Sequence, residues 1–308
     1  MTSQLRIIST VPGSDKANNM IFARRQNQAL LKRGILCKEV ILPHSRNLSK
    51  FFLHILILRN ELKKFDPMII HAQYGTYTAF LCSLFSFQYN FIITFRGSDL
   101  NLDANIRNTS FLHGVFGHLL SQFSAIFAHR IICVSSRLKE KIWFGRAKSI
   151  VIPDGVDLES FVLGSIDDAR SRLEIPKELK VLLFNSGYNP IVKRKDLSDE
   201  VARVLETRIE NFKYLVMEGQ VSSDLVPIYM QASDCLLITS DNEGSPCVVK
   251  EAMASGLPIV SVNVGDVAEM IKGASQCCIA KREVDDLVKR VEDTFIKGKR
   301  LIIHNAEF

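Results

Sequence analysis

Short β-branched runs alternate with longer amphipathic stretches from one end of this sequence to the other, and the alternation comes in two series. The first series of runs is Leu5–Val11, Ile35–Leu42, Met68–His71, Phe91–Phe95, Arg130–Val134 and Ser149–Ile152. The second is Lys180–Asn185, Tyr214–Glu218, Cys235–Thr239, Pro258–Val262 and Gln276–Ala280. Helical periodicity fills the gaps, as in Asn18–Arg33, Leu48–Lys64, Lys195–Arg208, Pro246–Ala254 and Glu283–Ile296. Runs that are apolar at nearly every position, each followed by a helix, belong to a parallel sheet covered on both faces. Two series therefore predict an α/β chain of two Rossmann-like parallel-sheet domains facing a central cleft. Such sheets bind ligands at the C-terminal ends of their strands.

Charge marks the boundary between the series. Residues 1–150 carry 20 Lys and Arg against 7 Asp and Glu, a net of +13, whereas residues 151–308 carry 19 against 26, a net of −7. The stretch Pro153–Pro176 holds Pro and Gly without a clear strand and begins where the sign changes, so the linker is placed there and the domains at 1–153 and 154–308. A basic half attracts phosphates, anionic lipid or nucleic acid, although a solvated basic face without any ligand explains the charge equally well.

Several function classes lose their footing. No apolar stretch approaches the roughly 18 residues of a membrane-spanning helix. The longest, Phe51–Leu58, contains His54 and ends at Arg59. Met1–Pro12 has no basic segment followed by a long apolar core and reads as a strand, not a signal peptide. The seven cysteines (37, 82, 133, 235, 247, 277, 278) lack CxxC spacing and suggest reduced, packed thiols in a cytoplasmic protein. No GxGxxG follows a strand, since Gly114 and Gly117 lie inside a helical stretch, which weakens any dinucleotide reading. The histidines show no HxxxH or HExxH spacing, so no metal centre is expected. The helical stretch Leu48–Lys64 carries a core stripe at 48, 51, 52, 55, 58 and 62. Leu53 and Ile57 widen that stripe beyond the needs of a core, and Arg46, Lys50, Arg59, Lys63 and Lys64 flank it. Core burial and contact with a membrane surface both fit.

The segment Thr239–Glu251 is the richest in chemistry. A strand ends at Thr239, Glu243 and Gly244 follow in a loop, and Ser245-Pro246 opens a helix. Ser is a good N-cap and Pro suits the first helical position. The leading amides of Cys247 and Val248, with the helix dipole, would then form an anion site that Gly244 lets a ligand approach closely. Glu243 precedes the cap and Glu251 lies about one and a half turns into the helix, two acceptors suited to sugar hydroxyls. A plain strand–loop–helix join with two solvent-facing glutamates is the competing explanation.

Glu243–Ile271 resembles the signature region of the retaining glycosyltransferase family 4, whose members have the GT-B fold. Other segments are similar in order: Asp66–Gln73 to the family's D-x-(I/V)-H-x-H strand, Thr94–Asp99 to T-x-H-G-x-D, Ile131–Leu138 to a strand leading into a helix, and Ile152–Asp157 to I-P-N-G-V-D. The likeness runs from about residue 5 to about residue 300. It implies a metal-independent hexosyltransferase with no cofactor, moving sugar from a nucleotide-sugar donor, UDP-sugar first among them. The acceptor would be a glycan or lipid-linked sugar in cell-surface polysaccharide synthesis, with peripheral contact at the inner membrane face and no role for nucleic acid.

The resemblance also assigns residues. Glu251 would bind the ribose hydroxyls, Glu243 the donor sugar, and Lys193 the diphosphate, whose growing charge a cation neutralises. Gly13 follows the first strand as the glycine that admits the donor phosphate, and Gly219 lies where the backbone reads the base. Tyr188 stands where the family carries arginine, leaving Arg194 or Lys195 to complete the diphosphate clamp. Arg96 replaces the histidine of the T-x-H-G-x-D turn; it can hold a phosphate or an acidic sugar bidentately but cannot serve as a base. Lys299–Phe308 ends where a C-terminal crossover helix is expected, so that helix is expected to be missing. Two alternatives stay open: a binding or scaffold protein impaired at Tyr188 and Arg96, and a sugar-nucleotide epimerase.

Overall fold

The computed structural model describes residues 4–13, 20–45, 47–101 and 111–298. The segment Lys299–Phe308 lies outside the described residues, as does Ser14. The chain divides into two compact units, Met1–Pro153 and Asp154–Phe308.

The first unit is built on six parallel strands: β1 (Arg6–Pro12), β2 (Leu36–Leu42), β3 (Ile69–Ala72), β4 (Asn90–Phe95), β5 (Arg130–Cys133) and β6 (Ser149–Val151). Their order is β2-β1-β3-β4-β5-β6. Register places Ile7 opposite both Cys37 and Ile69. Helices α1 (Ile21–Lys32), α2 (Leu48–Phe65), α3 (Thr76–Ser83), α4 (Phe111–Phe127) and α5 (Ser136–Glu140) connect the strands. Ile8, Ile70, Phe91, Ile93, Phe95 and Ile131 are fully buried, as strands covered on both faces require.

Helix α2 begins at Asn47, whose side chain accepts from the Ser49 amide at 2.8 Å. Its inner face differs from the expected stripe. Leu58, Leu62 and His54 are buried, with His54 Nδ1 2.8 Å from the Tyr77 hydroxyl, whereas Leu48 and Phe52 are 71% and 57% exposed. The hydroxyl satisfies the imidazole and draws it inward, and at 100° per residue this turns 48 and 52 toward solvent.

The second unit holds β7 (Lys180–Gly187), β8 (Phe212–Glu218), β9 (Cys235–Ile238), β10 (Ile259–Val262) and β11 (Cys278–Ala280), all parallel, in the order β11-β10-β9-β7-β8. Its helices are α6 (Ile166–Arg172), α7 (Lys195–Arg208), α8 (Val226–Ala232), α9 (Cys247–Ala254), α10 (Val267–Met270) and α11 (Val284–Lys297). Each unit has its own apolar core. In each, the chain reverses direction across the sheet beside the first strand, between β1 and β3 and between β7 and β9. Loops on either side of such a point diverge and leave a crevice at the strand ends.

Candidate functional site

In the second unit, the loops that follow β7 and β9 are tied together before any ligand is considered. Thr239 Oγ1 donates to the carbonyls of Lys193 (2.8 Å) and Arg194 (3.1 Å), and the Asp241 amide donates to Val192 O at 2.9 Å. This lashing brings Lys193 Nζ to 2.5 Å from Glu243 Oε1, with the two side chains 23% and 13% exposed. Both line a recess shared with Asn185, Ser240 and Val248. Gly265 supports the pair from the loop after β10. At φ 55°, a Cβ there would lie 3.1 Å from Glu243 Cβ and 3.2 Å from Gly244 O, so only glycine allows that approach.

The start of α9 departs from expectation. Pro246, at φ −69° and ψ 114°, occupies the cap position and Cys247 is the first helical residue. Ser245 therefore stands one residue too early to cap, and its side chain is buried. It faces Asp266, whose carboxyl burial pushes above its ordinary value, an effect that Ser245 and Lys250 oppose. The first amides of the helix, at Cys247 and Val248, still carry the positive end of its dipole. Glu251 is 8% exposed and the Glu243 side chain 13%, so neither glutamate is the solvent-facing residue of the competing explanation. Lys250, also buried, donates to the Asp154 carbonyl at 2.8 Å and ties the beginning of the second unit to this helix.

The expected diphosphate clamp is only partly assembled. Arg194 sits in the left-handed region at φ 54° and grips Asp196 through Nε and Nη2, with Asp241 3.4 Å from Nη1. Lys195 pairs with Asp199 at 2.8 Å. Tyr188 is 69% exposed and lies over Gly219, where a Cβ would fall 2.4 Å from its ring. The ring thus covers the backbone expected to read the base.

In the first unit, Gly13 follows β1 with φ 99°. Arg96 follows β4. Its Nε donates to Gln73 O at 2.9 Å, its Nη2 to Gln73 Oε1 at 2.5 Å and to Gln26 Oε1 at 3.3 Å, and its guanidinium lies 4.4 Å from the Phe22 ring centroid. The fully buried Asp99 accepts from the amides of Gly75, Arg96 and Gly97 at 2.8–3.1 Å. Burial pushes its carboxyl up, while these amides and the Arg96 charge pull it back. His71, 2.7 Å from Thr94 Oγ1, is pushed down to about 3, chiefly by burial and then by Arg96. It is neutral at physiological pH.

A family model described as Glycosyl transferases group 1 matches residues 174–295, and one described as Glycosyltransferase Family 4 matches residues 17–160. Between them they take in strands β2–β6 and β7–β11. The chain is a family 4 glycosyltransferase. A Bacillus subtilis glycosyltransferase assigned to teichuronic acid biosynthesis is 25% identical over 275 residues, which span 76% of this chain and 68% of that protein. The Escherichia coli UDP-Gal:alpha-D-GlcNAc-diphosphoundecaprenol alpha-1,3-galactosyltransferase is 23% identical over 56% of this chain and 50% of its own length. Among solved structures, sucrose-phosphate synthase from Thermosynechococcus elongatus superposes with a TM-score of 0.74 at 13% identity, covering 96% of this chain and 90% of its own. Anabaena HepE in complex with UDP and glucose gives 0.71 at 16% identity, covering 96% and 92%. At these identities the superpositions establish the GT-B fold.

The glycosyltransferase holds supporting residues that sequence reasoning passed over. Gln73 lies in the quoted Asp66–Gln73 motif where the family has histidine, and that substitution, paired with Arg96, was the available signal. Arg282 bonds Asp241 at 2.8 Å and the carbonyls of Thr239 and Ser240 at 2.7 and 2.9 Å, bracing the loop that carries Glu243. It lies 39 positions beyond Glu243, and no local pattern announces it.

Proposed function

We propose that this glycosyltransferase moves a hexose from a UDP-sugar to an anionic glycan or lipid-linked acceptor with retention of configuration and without a metal ion. The reading rests on one observation above the rest: Lys193 and Glu243 form a close ion pair at the strand reversal of the second unit, beside the start of α9. In the reaction the bond between the anomeric carbon and the diphosphate oxygen breaks, and the acceptor oxygen adds to the same face. The acceptor proton passes to the departing phosphate, so no protein base is required. Positive charge grows on the anomeric carbon, where Glu243 opposes it. Negative charge grows on the leaving diphosphate, where Lys193 and the dipole of α9 oppose it. Lys193 lines the recess beside the start of α9, whereas Arg194 and Lys195 turn to Asp196 and Asp199 and do not line it, so Lys193 is the principal cation for that diphosphate. Glu251 takes the ribose hydroxyls.

UDP is the expected nucleotide because HepE, of the same fold, was solved with UDP and glucose. An anionic acceptor follows from Arg96, held by amide oxygens and a ring in the unit that carries the +13 balance. A lipid-linked acceptor, as named for the Escherichia coli relative, would place the chain peripherally at the inner membrane face.

Incubation with a panel of nucleotide sugars and lipid-linked acceptors tests the reading. The expected result is acceptor-dependent release of UDP, undiminished by a chelator, with an α-configured product from an α-configured donor. Donor binding without release would identify a binding protein, and epimerised donor in the absence of acceptor would identify an epimerase.

A further inference from the structure

A continuous line of aromatic rings crosses three helices of the first unit. Phe52 meets Phe51 on α2 with centroids 5.6 Å apart, and Phe51 stacks on Phe80 of α3 at 6.2 Å. Phe80 meets Phe123 of α4 at 5.8 Å, Phe123 meets Phe127 at 4.9 Å, and Phe127 meets Phe87 beyond α3 at 6.1 Å. Phe52 is 57% exposed and Phe87 is 88% exposed. Leu53, Leu56 and Ile57 extend the line along α2, and Phe116, Leu119 and Ile126 along α4, all of them exposed. Soluble chains seldom leave a contiguous apolar surface of this kind uncovered.

The charges around it say what covers it. Lys50, Arg59, Lys63 and Lys64 are exposed along α2. The lone acidic residue of that helix, Glu61, is paired with Lys38, and α4 contains no acidic residue. A second copy of this chain docking through the same face would set these cations against their own images across a two-fold axis. A surface rich in lipid phosphates would complement them. Among the described residues no helix is long and apolar enough to cross a membrane.

We propose that this ridge is the surface by which the chain lies on an anionic lipid bilayer, with its rings at the boundary of headgroups and acyl chains and the α2 cations against the phosphates. The proposal deepens the lipid-linked acceptor reading above but is measured without donor or acceptor.

Flotation with phosphatidylcholine vesicles, with and without phosphatidylglycerol, provides the test. The chain is expected to rise with the anionic vesicles at low salt, and recovery should fall as salt shortens the screening length. Leu53→Glu with Phe116→Glu, both at exposed positions, should lower the partition coefficient at least about tenfold. Lys63→Glu with Lys64→Glu should lower it at least about fivefold. Unchanged melting temperatures would show that the variants fold, and Phe87→Ser, at the most exposed ring, offers a milder second probe. Equal recovery with neutral and anionic vesicles overturns the proposal, as does flotation of the Leu53/Phe116 variant at the level of the parent chain. A concentration-dependent dimer that this variant abolishes, without vesicle binding by the parent, assigns the ridge to self-association instead. Intact flotation without UDP release would break the functional reading alone. UDP release to a soluble acceptor without flotation would break the ridge alone.

Discussion

Both units reverse their strand order beside the first strand, yet they place opposite kinds of chemistry at that point. The second unit sets a lysine against a glutamate, so it meets a ligand with both signs of charge a bond length apart. The first unit sets a cation, Arg96, among amide oxygens and a neutral imidazole, and turns the neighbouring carboxylate of Asp99 inward onto backbone amides. One backbone plan therefore supplies two electrostatic instruments. Paired opposite charges suit a bond that is breaking heterolytically, because each end of the dipole finds a partner as it forms. A single braced cation suits recognition of an anion that does not change during the reaction.

That division can be broken in order of expected effect. Glu243→Gln should cost the most, about 10² to 10³ in turnover with UDP affinity nearly unchanged, since its partner develops mainly in the transition state. Steady-state kinetics beside UDP titration would read the split, and equal losses in both would move Glu243 out of the reacting centre. Lys193→Ala should lower turnover about 10- to 100-fold and weaken UDP as well, because the diphosphate is charged both before and after the bond breaks. Glu251→Ala should weaken UDP alone. Arg96→Gln should raise KM for an anionic acceptor about tenfold while UDP affinity holds. If it weakened UDP instead, the first unit would belong to donor binding and the contrast would fail.

A smaller effect separates the units by pH. His71 titrates near 6.5 in the unfolded chain but is held down to about 3 when folded. Between those values the unfolded state carries a proton that the folded one refuses. The stability His71 contributes is thus complete above 6.5 and is lost as pH falls toward 3. Denaturant midpoints across that window should fall less steeply in His71→Gln, by about one proton's worth of slope. The smallest effect expected is from Gly219→Ala, which must displace the Tyr188 ring and should weaken UDP about two- to fivefold.

The two-sheet plan was legible in the sequence because strands such as Leu182–Leu183 and Ile92–Ile93 are apolar at neighbouring positions, a signature that survives without tertiary information. Lys193 and Glu243 could be named from their motifs, though they lie 50 positions apart. Their pairing could not be read, since it depends on Thr239 bridging two loops. The α2 face was misjudged because a hydropathy stripe cannot see that Tyr77 rescues a buried imidazole. Ser245 was misjudged as a cap because local preference ignores the buried Asp266 carboxylate on which it bears.

The cysteines carry a practical consequence. Burial raises the thiols of Cys37, Cys82, Cys133, Cys235, Cys277 and Cys278, with Cys37 at about 11 and Cys82, Cys133 and Cys277 at about 12. At neutral pH those six present almost no thiolate to an alkylating reagent. Cys247 is different in position: it is half-buried in the first turn of α9, next to the recess that Lys193 and Glu243 line. A maleimide fluorophore attached there would report the arrival of donor at the helix start in real time.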